Sequence, residues 1–89
     1  MNEKLNARLG FDYFNPPEEL SRDQMKNLID VLVEADHNQR EGDLLVGVFS
    51  NHCKHPGRSD VIFWPDVAGF DRELEPDEIL KVAMGEPLE

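Results

Sequence analysis

Met25, Leu28, Ile29, Leu32 and Val33 recur at i, i+3, i+4, i+7 and i+8, leaving Asp23, Lys26, Asn27, Asp30 and Glu34 for the other side. That period sets the apolar side chains on one stripe of an α-helix, which other elements must cover. Ser21 and Gln24 have capping-box spacing, and Leu20 and Met25 that of a hydrophobic staple, so the helix starts at this point. Asp36-His37-Asn38 then interrupts the pattern and supplies caps for a second helix with Leu45, Val48 and Phe49 as its apolar members. Two glycines weaken that second helix, because Gly42 and Gly47 each cost about 1 kcal/mol relative to alanine in a helix interior. Leu44 to Phe49 also reads as a buried strand, and Val61 to Trp64 shares the ambiguity. On propensity alone, an α+β fold with two short strands therefore competes with an all-helical one.

The run His55-Pro56-Gly57-Arg58-Ser59-Asp60-Val61-Ile62-Phe63-Trp64-Pro65 brackets a short helix between breakers. Ser59 is placed to cap it and Pro65 stops it, which leaves about one and a half turns. So short a piece has no obvious inward place for both Phe63 and Trp64, and an acid beside a half-exposed Trp is a common composition for a binding hot spot. The plainer reading is a turn whose aromatics cover the core, since Trp is rarely fully buried. Asp66 to Leu74 reads as a polar loop containing Gly69. Pro76 then stands at a first helical position with acids at the positive helix end, Ile79, Leu80 and Ala83 form an apolar face, and Gly85 and Pro87 end the helix. Residues 1–19 carry Phe11, Tyr13 and Phe14 ahead of Pro16 and Pro17, and read as an extended, non-helical arm laying its aromatics on a domain spanning 20–87. Leu88-Glu89 has the composition of a cloning remnant.

Eighty-nine residues suit one domain with a modest core and leave little room for a cleft between two lobes. Nineteen acidic against nine basic side chains give a formal charge of -10, which disfavours direct binding to nucleic acid or to an anionic membrane surface. The same field would draw in a basic protein and make the encounter salt-dependent. The single Cys53 cannot form an internal disulfide, no apolar run resembles a signal peptide, and none is long enough to cross a bilayer, so the expected compartment is the cytoplasm. His52, Cys53 and His55, with His37 or Asp60, lack the two separated ligand pairs of a structural zinc site, so no metal is expected. His55 reads instead as the end of a helix, where its charge suits the dipole, and Cys53 as a small buried hydrophobe. Ser50 or Ser59 beside a histidine does not make a triad without a pocket and an orienting acid, and no glycine-rich phosphate loop is present. The chain therefore reads as a non-enzyme without cofactor.

Taken together, the helix ending in Glu34-Ala35-Asp36, the segment ending at His55-Pro56, the Ser59 to Pro65 edge and the Pro76 helix resemble the colicin and S-type pyocin immunity proteins, which inhibit nuclease bacteriocins. The resemblance covers roughly Ser21 to Met84 and is closest from His55 to Pro65, where the family pattern is His-Pro-x-x-Ser-Asp-Leu-Ile-Tyr-Tyr-Pro. It implies an all-α fold, a distorted antiparallel four-helix bundle with a short third helix, here preceded by the arm. It also implies an anchor for the nuclease at Ser59, Asp60, Phe63 and Trp64, and a selectivity surface at outward positions Gln39, Gly42, Asp43, Val46 and Ser50. The implied mechanism is blockade of nucleic-acid access by charge and bulk at an exosite beside the toxin's active site, by a protein that is monomeric when free. Phe63 and Trp64 depart from the paired tyrosines of the family, so the phenolic hydrogen bonds are lost and the Trp64 indole N–H is the remaining donor. The rival reading is a generic acidic interaction domain or adaptor whose basic partner is unrelated to bacteriocins.

Overall fold

Ser21 and Gln24 close the capping box that their spacing predicts. The Ser21 N–H donates to Gln24 Oε1 at 2.9 Å and the Gln24 N–H to Ser21 Oγ at 3.1 Å. The helix so started runs Arg22–Glu34 and is α2 of five in the computed structural model, which describes residues 3–34 and 37–87. The others are α1 (Glu3–Leu9), α3 (Gln39–His52), α4 (Asp60–Phe63) and α5 (Pro76–Ala83). The described residues are all-α with no strand, so Leu44–Phe49 and Val61–Phe63 take the helical alternative. The expected continuation of α2 into Ala35-Asp36 and the proposed remnant Leu88-Glu89 lie outside the described residues.

The N-terminal segment departs from the expected extended arm. Glu3–Leu9 is helical and packs on α2, with Leu5 and Leu9 buried in the core. Proline constrains only its own neighbours, so Pro16 and Pro17 do not reach back to this stretch, and Leu5 and Leu9 have the i, i+4 spacing of one helix face. Beyond Gly10 the chain is non-helical, as expected, and two of its three aromatics lie on the core: Phe11 and Tyr13 are buried, whereas Phe14 is exposed. The docking explains a second departure, the burial of Val31, which falls outside the predicted stripe of α2. Gln24, Asn27, Val31 and Glu34 form a row at i, i+3, i+7 and i+10, and this row faces α1. Gln24 Nε2 donates to the Gly10 carbonyl at 3.0 Å, Asn27 Nδ2 to the Leu9 carbonyl at 3.1 Å, and Arg8 pairs with Glu34 at 2.7 Å. Gln24 and Asn27 tie the end of α1 to α2, while the Arg8–Glu34 pair stays exposed.

α2 is the central support, packing against α1, α3 and α5. Asn38 caps α3 in a second capping box: the Glu41 N–H donates to Asn38 Oδ1 at 2.8 Å and the Asn38 N–H to Glu41 Oε1 at 2.9 Å. α3 ends at His52, three residues before the expected His55, and it is His52 that sits in the last turn with Nδ1 2.8 Å from the Val48 carbonyl. α5 begins with Pro76 after the N-cap Glu75, as the sequence predicts. It closes on Gly85 (φ +77°) in a Schellman motif, with Glu86 N–H to Lys81 O at 2.8 Å and Gly85 N–H to Val82 O at 3.1 Å.

Candidate functional site

The segment from His55 to Phe70 is wound by short-range backbone bonds rather than by a long helix. Arg58 N–H reaches His55 O at 3.1 Å, Asp60 N–H reaches Gly57 O at 2.9 Å, and Val61 N–H reaches Arg58 O at 3.1 Å. His55 Nδ1 accepts from the Gly57 N–H at 2.9 Å, and its ring lies 5.5 Å from that of Phe70. Arg58 takes a left-handed conformation (φ 49°), which turns the chain into α4. Ser59 is already right-handed helical there and its side chain makes no capping bond, so the predicted cap is replaced by backbone turns. Its carbonyl accepts from Ile62 and Phe63 at 3.0 and 3.1 Å instead.

α4 lies against α5. Val61 is fully out of water, Ile62 is half-buried, and Phe63 and Trp64 keep 45% and 63% of their surface exposed. A four-residue helix has one inward direction, and Val61 occupies it. Trp64 N–H donates to Asp60 O at 2.8 Å, which sets the acid one turn from the indole. Val67, at 69% exposed, extends the apolar surface past Pro65. Asp60, Phe63 and Trp64 are thus assembled on one short element, with Ser59 immediately before it and half-buried.

The α3 positions fare less evenly. Gln39 and Asp43 are exposed and Val46 and Ser50 are half-buried, at spacings that share a helix face. Gly42 is not outward-facing: it is buried, and a Cβ there would come within 2.6 Å of His37 Cε1. The family resemblance implied an outward position, but His37, just ahead of the α3 cap, folds its imidazole over that position. α3 rests on α2 while α4 rests on α5, so the two sets of residues have different supports.

His52 turns its ring nitrogens to the carbonyls of Val48 and Pro17, at 2.8 and 3.1 Å, and not toward a centre shared with Cys53. Burial pushes the half-buried Cys53 thiol up. Among the described residues, no three His, Cys, Asp or Glu side chains converge on a metal-sized centre. No helix among them is long and apolar enough to cross a membrane.

The model of the colicin immunity protein / pyocin immunity protein family matches residues 18–84, three quarters of the chain and all of α2 to α5. The chain belongs to that family. Neither the curated proteins nor the solved structures searched gave a match. In this immunity-family chain α1 falls outside the matched residues, although its leucines are built into the same core as those of α2. Sequence reasoning missed Val33, Glu73 and Leu74 near the α4 edge. With Leu32, Ile62 and Phe63 they line a groove of about 280 Å³. The exposure of Val33, 45%, shows that the last residue of the predicted apolar stripe lies at the core's margin.

Proposed function

We propose that the protein is a bacteriocin immunity protein that binds a cognate cationic nuclease toxin in the cytoplasm and inhibits it from an exosite. The observation that carries this reading is the exposure of Phe63 and Trp64 on a short helix fastened by the buried Val61, within a chain of net charge -10 that belongs to the immunity family. Asp60 makes charge-assisted hydrogen bonds to basic or backbone N–H groups of the toxin, and Phe63 and Trp64 cover it and exclude water. Ser59 completes the anchor. Gln39, Asp43, Val46 and Ser50 on α3 read the identity of the toxin, while Gly42, being buried, acts on that surface only through the packing of His37. In this reading α2 to α5 form the distorted four-helix bundle of the family, with α4 as its short third helix, and the free protein is a monomer.

Inhibition needs no chemistry. A negatively charged domain seated beside the nuclease active site covers cationic residues that would hold the phosphate backbone, and excludes the nucleic acid by charge and bulk. The test is inhibition of purified bacteriocin nuclease domains, with binding followed across salt concentrations. The reading expects stoichiometric inhibition of at least one nuclease and an association rate that falls as salt rises. Binding of basic proteins in general, without inhibition of any bacteriocin nuclease, would favour an adaptor and overturn it.

A further inference from the structure

The groove beside α4 combines three properties that together define an occupant. Its walls are aliphatic and aromatic, from Leu32 and Val33 at the end of α2, Ile62 and Phe63 of α4, and Leu74 ahead of α5. At about 280 Å³ it lies at the lower end of ligand-sized pockets and has room for one long side chain. One acidic residue, the exposed Glu73, is among its lining residues. The adjacent cation, Arg72, is committed to Glu78 through both terminal guanidinium nitrogens, one of them at 2.7 Å, and meets Glu73 only at its backbone carbonyl. Among the described residues Glu73 has no ion pair.

We propose that this groove receives an arginine or lysine side chain of the toxin, its aliphatic stem lying along Val33, Ile62 and Leu74 and its cation meeting Glu73. Aliphatic and aromatic side chains give the stem of such an amphipathic residue a surface to lie on, and the polar remainder of the lining, to which Glu73 belongs, suits its charge. The groove is continuous with the proposed anchor, since Phe63 belongs to both, and the chain's net charge of -10 favours a cationic occupant over an anionic one. The proposal rests on the reading of the protein as an inhibitor of a cationic toxin, and it adds Val33, Glu73 and Leu74 to the contact surface.

The probe is Nα-acetyl-arginine methylamide, titrated into the full chain while the methyl resonances of Val33, Ile62, Leu74 and Ile79 are followed by NMR, with the uncharged citrulline analogue as control. Saturable shifts of these methyls are expected, about two- to fivefold weaker in affinity for citrulline and for the Glu73→Gln variant, and unchanged in Asp71→Asn, which alters an acid outside the groove. Equal binding of the two amides, equal effects of Glu73→Gln and Asp71→Asn, or no shift in the groove would each overturn the proposal. The readout needs no toxin. Groove binding with no nuclease inhibited would count against the immunity reading alone, whereas nuclease inhibition with a silent groove would count against the groove alone.

Discussion

Truncating Val61 to alanine probes how the short helix is held. Val61 is completely buried, Ile62 is partly buried against the core and Phe63 keeps nearly half of its surface in water, so Val61 is the deepest hold of α4 on the core. Val61→Ala removes two methyl groups, worth about 1.6 kcal/mol of transfer free energy at 0.8 kcal/mol per group. The space left adds roughly 1 kcal/mol where the surroundings cannot collapse, for a total of about 2 to 3 kcal/mol. Urea unfolding followed by far-UV circular dichroism reads this directly. With a slope of about 1 kcal/mol per molar for a small domain, the midpoint should fall by about 2 to 3 M at unchanged slope. A variant whose stability lies within about 0.5 kcal/mol of wild type would refute the reasoning, because α4 would then be positioned by its flanking turns and not by Val61. The same variant should bind the toxin more weakly than its stability alone requires, since Asp60, Phe63 and Trp64 lose their common support.

Leu9→Ala tests whether α1 is part of the fold. Leu9 is fully buried, and its truncation should cost about 2 to 4 kcal/mol in thermal or urea unfolding; a change below about 0.5 kcal/mol would mean that α1 is dispensable. The exposed Arg8–Glu34 pair contributes little beside this, so Arg8→Ala should cost under about 1 kcal/mol. The third prediction concerns pH. The Arg72 guanidinium beside Glu78, helped by the Glu75 N–H, holds the Glu78 carboxyl at about 2, below its ordinary 4.5. A carboxyl depressed in the folded state stabilises above its unfolded value and loses that contribution as pH falls from about 4.5 to about 2. Stability measured over this window should fall less steeply in Glu78→Gln than in wild type, and identical slopes would remove the assignment.

Much of the helical scaffold was legible because it is set by local chemistry. The capping partners Ser21 and Gln24, Pro76 at the start of α5 and Gly85 at its end act within a few residues, so spacing alone locates them. The breakers around Asp60–Phe63 likewise bound the short helix, and of the two readings open for its aromatics, exposed or covering the core, Phe63 and Trp64 take the exposed one. The failures have a common origin in packing between segments distant in sequence. Asn27 looks like part of a solvated face of α2 until α1 lies beside it, and Val31, outside the apolar stripe, is buried as well. Gly42 looks outward until His37 is folded over it. The Glu73 and Leu74 wall of the groove was hidden because a loop that reads as polar returns to the end of α2, and no periodic pattern encodes that return.

The central claim is that Trp64 and Asp60 serve binding and not folding, and one paired measurement separates the two. Folding stability and toxin affinity are determined for wild type, Trp64→Ala and Asp60→Ala with the nuclease domain that the protein inhibits. Trp64 is 63% exposed, so its loss should change stability by no more than about 0.5 kcal/mol. Both variants should nonetheless weaken the complex by at least about 2 kcal/mol, roughly thirtyfold in Kd. Affinities equal to wild type in both variants, or affinity losses fully matched by lost stability, would contradict the account.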